Sequence, residues 1–154
     1  MIVFVTGMSG TGKSAALAEL ARRGHRVVDT DYGGYSEERD GEQLWREERV
    51  AELLDENGDG VLFLSGCVAN QGRFYPRFDA VVLLSAPADV ILERVQARDT
   101  NDFGKTEAER RRILADLAAV EPLLRAGATA EIDTRAPLSE VADALERIAG
   151  SGRM

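Results

Sequence analysis

Cysteine and histidine occur once each in this chain of 154 residues, as Cys67 and His25, and lysine only twice, as Lys13 and Lys105. One Cys and one His cannot build a zinc centre or an internal disulfide, and a His-based triad would have to use His25 itself. His25 follows Gly24 in what reads as a helix-to-strand connection, where a surface role is expected. Cys67 follows an apolar run and reads as a small buried residue. No apolar stretch approaches the ~18 residues of a membrane span, and no basic segment precedes Ile2 to Val5 as a secretion signal requires. A cytoplasmic protein is therefore expected. The 19 basic against 27 acidic residues leave a formal net charge of -8, which argues against a general attraction for nucleic acid or anionic lipid. Any anion must be held locally.

What the chain does have is an alternation of short continuous apolar runs with longer segments of helical period, the pattern of strands buried on both faces by crossover helices. The expected strands are Ile2–Val5, Arg26–Val28, Val61–Leu64, Ala80–Leu84 and Ala130–Ile132. The expected helices run from about Lys13 to Arg23, Glu42 to Glu56, Ala88 to Arg98, Glu107 to Arg125 and Leu138 to Ala149. Five strands alternating with five helices imply an open, mostly parallel α/β sheet in one domain, 1–154. Turn chemistry supports two boundaries. Asn57-Gly58-Asp59-Gly60 stops one helix, and Thr106-Glu107-Ala108-Glu109 is a capping box that opens another. Asp31 to Gly41 and Asp99 to Lys105 fit neither pattern and read as loops over a site.

The first strand runs directly into Gly7-Met8-Ser9-Gly10-Thr11-Gly12-Lys13-Ser14, followed by Ala15 and a strong helix former. This is G-x-x-x-x-G-K-S in the strand-loop-helix setting that the phosphate-binding motif needs. Glycines let successive backbone N–H groups turn inward, the helix N-terminus adds its positive end, and Lys13 supplies a full charge to the β/γ-phosphates. Ser14 would ligate Mg²⁺. Nucleotide binding by residues 7 to 15 follows.

The chain has no N-K-x-D motif, so it is not a switch GTPase, and it lacks both the length and the Asp-Glu pair of an AAA-type motor. The strand Val61-Leu62-Phe63-Leu64 ends in Ser65-Gly66-Cys67 without any carboxylate, so the metal's acidic partner must come from elsewhere. Asp29 and Asp31, at the end of the second strand, would face the released phosphate in a doubly wound sheet. One carboxylate can hold Mg²⁺ through its water shell while the other orients or deprotonates an acceptor hydroxyl. The same pair would also suit a turn and helix cap.

With these residues in view, the chain resembles, over nearly its whole length, small-molecule kinases built like shikimate kinase and adenylate kinase. The resemblance implies a three-layer P-loop NTPase fold, a five-stranded parallel sheet of order 2-3-1-4-5, a short lid at about 99–105 and an acceptor-binding region at about 31–56. Asp29 and Asp31 match the D-x-D of shikimate kinases, and Gly41-Glu42-Gln43-Leu44-Trp45-Arg46 matches their G-E-x-x-F-R. The resemblance then gives Asp29 to Mg²⁺, Asp31 to the reacting hydroxyl and Arg46 to an anionic group of the acceptor. Arg94 and Arg98 have the spacing of the two adenylate-kinase arginines, the first against adenine and the second on phosphate; they could equally be solvated helix charges. Ile132 to Pro137 is similar to the family's adenine-side loop, with Pro137 as a second wall for the base.

Departures from shikimate kinases are equally specific. Val120 stands where their R-x-P-L-Y segment carries a carboxylate-gripping Arg, and Ser65 to Arg73 replaces their G-G-G. Shikimate is thus not the expected acceptor. Asn70, Gln71 and Arg73 offer amide and cationic groups to a different one, or are loop surface. Asn101 and Lys105 fall in the lid, from which Lys105 would close on the phosphates. The expected activity is ATP-dependent phosphoryl transfer to a hydroxyl of a small metabolite, with Lys13, Asp31 and Arg98 catalytic. A nucleoside or nucleoside-monophosphate kinase, using Arg39, Arg46 and Arg73 on a phosphate, is the alternative. A nucleotide-binding regulatory ATPase module is the third reading.

Overall fold

A computed structural model describes residues 1–8, 10–97 and 106–151. Five parallel strands form the main sheet: β1 (Ile2–Thr6), β2 (Arg26–Asp29), β5 (Leu62–Ser65), β6 (Ala80–Ser85) and β7 (Ala130–Asp133). Their spatial order is β2-β5-β1-β6-β7, which counted over the parallel strands alone is 2-3-1-4-5. The central strands are apolar on both faces, as crossover connections demand. On one face Val3, Val5, Phe63, Val82 and Leu84 pack on α1 (Lys13–Arg22) and α5 (Leu138–Ser151). On the other, Ile2, Phe4, Leu62, Leu64 and Val81 pack on α2 (Glu47–Glu56) together with Trp45 and Phe74. Helices α3 (Ala88–Ala97) and α4 (Glu107–Gly127) share a smaller cluster around Ile91, Val95 and Ile113. Thr106 caps the start of α4 as expected: Glu109 N–H donates to its hydroxyl at 3.1 Å, and that hydroxyl donates to Glu109 Oε1 at 2.9 Å.

One expected helix is corrected. Glu42 to Trp45 is strand β4 (Glu42–Trp45), paired antiparallel with β3 (Ser36–Arg39), and α2 begins only at Glu47. The turn between the strands is Asp40-Gly41, with φ of 54° and 80°. Positive φ at both central residues gives a tight hairpin turn the hand that matches strand twist. The loop expected over 31–41 therefore contains strand β3. Beyond β5, Gln71–Arg77 forms a 3₁₀ segment that docks on the hairpin. Ala69 N–H donates to Gln43 O at 3.0 Å, and Trp45 N–H donates to Asn70 Oδ1 at 2.8 Å.

Trp45 closes this corner. Its ring is 1% exposed, lies edge-on to Phe4 and Phe74, and donates from Nε1 to Thr30 Oγ1 at 2.9 Å. Burying an indole of this size contributes roughly 4–6 kcal/mol at about 25 cal/mol per Å². Gly66 is needed beneath it, since a Cβ there would come within 2.5 Å of Thr30 Oγ1 and 3.2 Å of the Trp45 ring. Among the described residues, no helix is long and apolar enough to cross a membrane.

Candidate active site

The loop from β1 to α1 wraps as the motif requires. A Cβ on Gly7 would sit 2.5 Å from Leu84 O and 2.7 Å from Thr11 Oγ1. Gly10, at φ 87°, would push a Cβ to 3.0 Å from Ile91 and 3.1 Å from Val95. The Thr11 hydroxyl donates to Met8 O at 2.7 Å and fixes the turn. Helix α1 opens at Gly12 with no side-chain cap and no acidic residue in its first turn. Its leading N–H groups and positive dipole end are therefore available to an anion. Lys13 Nζ lies across the loop, donating to Gly7 O at 2.5 Å and Met8 O at 3.2 Å. Ser9, expected to contribute to the cradle, lies outside the described residues, as do Arg98, Asn101 and Lys105 and with them the expected lid.

Beside the loop, Ser14 Oγ donates to Asp29 Oδ2 at 2.9 Å, so the two expected metal ligands touch. Asp29 Oδ1 accepts from Asp31 N–H at 3.1 Å, a turn that sets the second carboxylate next to the first. Loss of hydration, then the charge of Asp29, raises the Asp31 carboxyl above the usual carboxylate range, while Lys13 pulls it back. Burial likewise pushes the Cys67 thiol up against the opposing pull of Lys13. Cys67 therefore stays a neutral thiol in this corner. Hydroxyl and carboxylate oxygens are the donors Mg²⁺ takes, and this ion is usually held by one or two carboxylates plus substrate phosphates. The pair Ser14 and Asp29 fits that description. Among the described residues no group of three or more His, Cys, Asp or Glu is gathered for a metal, which leaves the remaining positions to phosphate and water.

On the far side of the loop is a cavity of about 290 Å³ lined by Gly12, Ala15, Arg94, Thr134, Ala136, Leu138 and Val141. Arg94 is fixed there, donating to Thr134 Oγ1 at 2.8 Å, Thr134 O at 2.6 Å and Gly10 O at 3.3 Å. An arginine beside the apolar walls of Ala15, Ala136, Leu138 and Val141 suits a purine base. The expected wall at Pro137 is corrected: Ala136 and Leu138 line the cavity, while Pro137 O accepts from Glu140 and Val141 N–H at the start of α5.

A second cavity, about 550 Å³, opens between the hairpin, the start of α2 and the 3₁₀ segment. Arg46 and Arg73, the expected acceptor contacts, line it together with Arg39 and Arg49. Arg73 pairs with Glu47 at 3.1 Å, and Arg49 lies over the Tyr35 ring at 5.0 Å from its centre. Two expected acceptor ligands are placed otherwise. Asn70 clamps the backbone of Trp45, accepting from its N–H and donating to its carbonyl at 3.1 Å. Gln71 is 4% exposed and its amide is committed to Thr6 Oγ1, Tyr75 OH and Val68 N–H. Asn70 lines the cavity with its amide tied to Trp45, whereas Gln71 is buried and is not among the residues that line it. Pattern reading passed over Thr134, Thr30 and Trp45, whose roles depend on partners far along the chain.

A phosphate-loop motif on the central strand, a 2-3-1-4-5 sheet and a cavity beside the loop make the fold that of a P-loop nucleotide-binding protein. Comparison with known proteins narrows this: residues 3–115 match the profile of the AAA domain family, and the chain belongs to it. A protein of Archaeoglobus fulgidus named "Putative adenylate kinase" is 29% identical over 157 residues, covering 96% of this chain and 82% of that one. Shikimate kinase from Acinetobacter baumannii, solved in complex with shikimate, superposes with TM-score 0.67 at 21% identity, covering 99% of this chain and 94% of that chain. A sugar kinase from Janibacter superposes with TM-score 0.61 at 23% identity, covering 99% and 98%. At these identities the solved structures speak for the fold.

Proposed function

We propose that the protein is an ATP-dependent kinase that moves the γ-phosphoryl group to a hydroxyl of a small metabolite other than shikimate. The observation that carries this reading is the contact of Ser14 with Asp29 beside Asp31, directly at the uncapped start of α1. The loop N–H groups and Lys13 hold the β- and γ-phosphates, and Arg94 covers the base. The acceptor oxygen forms the new bond to phosphorus as the bond from phosphorus to the β,γ-bridging oxygen breaks. Asp31 takes the hydroxyl proton, and its raised pKa makes it a better base than an ordinary carboxylate. Lys13 meets the charge that builds on the transferred group. Ser14 and Asp29 would hold Mg²⁺, which supplies charge neutralisation on the phosphates when bound. Arg98, Asn101 and Lys105 are assigned the lid side of the phosphates from their sequence positions alone.

A second reading is favoured by the four arginines around the larger cavity and by the name of the Archaeoglobus relative: the acceptor is a nucleoside monophosphate. A panel of sugars, sugar acids, nucleosides and nucleoside monophosphates, assayed for ADP release with Mg²⁺, separates the two. ADP release stimulated only by nucleosides or their monophosphates would sink the first reading. A rate that no acceptor stimulates, and that Lys13→Ala leaves unchanged, would remove both and favour a regulatory nucleotide-binding module.

A further inference from the structure

The sheet delivers one more oxygen to the metal corner. Ser65 is the last residue of β5, at the point where the chain carries no carboxylate after its apolar run. It is 1% exposed, and its hydroxyl has no hydrogen-bond partner among the described residues. The other buried side-chain atom in that position, Glu121 Oε2, belongs to a carboxylate already engaged through its second oxygen by Arg125. Ser65 has no such alternative.

Strand register says where the hydroxyl points. Ser65 pairs with Val5 of β1 and with Asp29 of β2, and residues paired in register project to the same face of a parallel sheet. Val5 packs in the cluster that contains Ala16, Leu17 and Leu20 of α1, and Asp29 reaches Ser14 on the same helix. The Ser65 hydroxyl therefore stands on the α1 face, between Val5 and the carboxylate that contacts Ser14. The carbonyl of Ser65 is held from the other direction by Thr30 N–H at 3.0 Å and Thr30 Oγ1 at 2.8 Å, so the strand end is fixed. A buried hydroxyl with both donor and acceptor capacity, adjacent to a carboxylate–hydroxyl pair, is suited to a metal-bound water.

We propose that Ser65 is a positioning residue for the divalent cation, its hydroxyl holding a water of the metal's shell where the strand offers no acid. This rests on the reading of the loop as a metal–nucleotide site. The probe is Mn²⁺ with ADP, followed by electron paramagnetic resonance, alongside ADP affinity in EDTA. Ser65→Ala should weaken Mn²⁺ binding about fivefold and leave metal-free ADP affinity unchanged, while Ser65→Thr keeps Mn²⁺ affinity within about twofold of wild type. Ser65→Asp, which puts a carboxylate at the same point, should tighten Mn²⁺; an unchanged or weaker affinity overturns the proposal even where the alanine variant fails to fold. Equal Mn²⁺ affinity in wild type and Ser65→Ala, or equal loss of Mn²⁺ and metal-free ADP affinity, overturns it too. Wild-type protein that binds ADP identically with and without Mn²⁺ would overturn the metal–nucleotide reading itself, a result distinct from these.

Discussion

The two sides of the site are built by different means. On the side proposed for the nucleotide, the described residues of the loop bond back to its own backbone: Lys13 to Gly7 and Met8, Thr11 to Met8. On the acceptor side, no short stretch suffices. The cavity wall needs the hairpin, the start of α2 and the 3₁₀ segment, joined through Asn70 to Trp45 and Trp45 to Thr30. A site made from adjacent residues tolerates change elsewhere. One assembled from distant pieces fails when any tie is cut.

The largest expected effect lies on the assembled side. Trp45→Ala removes the ring that packs on Phe4 and Phe74 and should cost about 3–5 kcal/mol in urea unfolding. ADP binding to the folded fraction should survive. A loss of ADP affinity as large as the loss of acceptor affinity would break the distinction between the two sides.

Asp31, set beside Asp29 and near Lys13, should show its proposed role in pH dependence. Its carboxylate must be unprotonated to accept the hydroxyl proton, so its raised pKa places the acidic limb of kcat/KM higher than an ordinary aspartate would. Asp31→Asn should lower turnover by about 10²-fold or more, abolish that limb and leave ADP affinity intact. Stability moves the other way. The fold disfavours the charged form, so the stability contributed by Asp31 is present at low pH and lost as pH rises through its folded-state pKa. Asp31→Asn should therefore raise Tm at pH 7, with the gap closing on acidification. A lower Tm at pH 7 would count against the assigned shift.

Asn70→Ala leaves the Trp45 N–H without its acceptor and should cost about 1–3 kcal/mol, with a raised acceptor KM and an unchanged KM for ATP. The smallest effect is on the nucleotide side. Thr134→Val removes one of the bonds on Arg94 and should raise the ATP KM roughly fivefold with kcat unchanged. An effect on acceptor KM instead would move Arg94 out of the base site.

The hairpin shows where local pattern reading stops. Asp40-Gly41 is a strong two-residue turn signal, but the flanks Ser-Glu-Glu-Arg and Glu-Gln-Leu-Trp lack alternating apolar residues, and the acidic, Leu-containing run into α2 has helical character. The pairing is secured by contacts that leave the hairpin: its own Trp45 packs into the core, and Asn70 and Ala69 bond to its open edge. Sequence position makes Gln71 an amide offered to the acceptor or loop surface; burial against Thr6 and Tyr75 turns the same amide inward.

By itself the sequence determined the glycine-rich loop motif, the order of alternating elements and the pair of aspartates after the second strand. Each is written in neighbouring residues, through glycine backbone freedom, strand and helix periodicity and the end of one apolar run. Tertiary structure alone decided that Asp29 meets Ser14, that Arg94 is held by Thr134 and that Ser65 shares their face of the sheet. It also decided that the larger cavity, the one proposed for the acceptor, is walled by a hairpin. Those arrangements depend on strand register and on packing between residues 15 to 84 positions apart. No local stretch of chain encodes such distances.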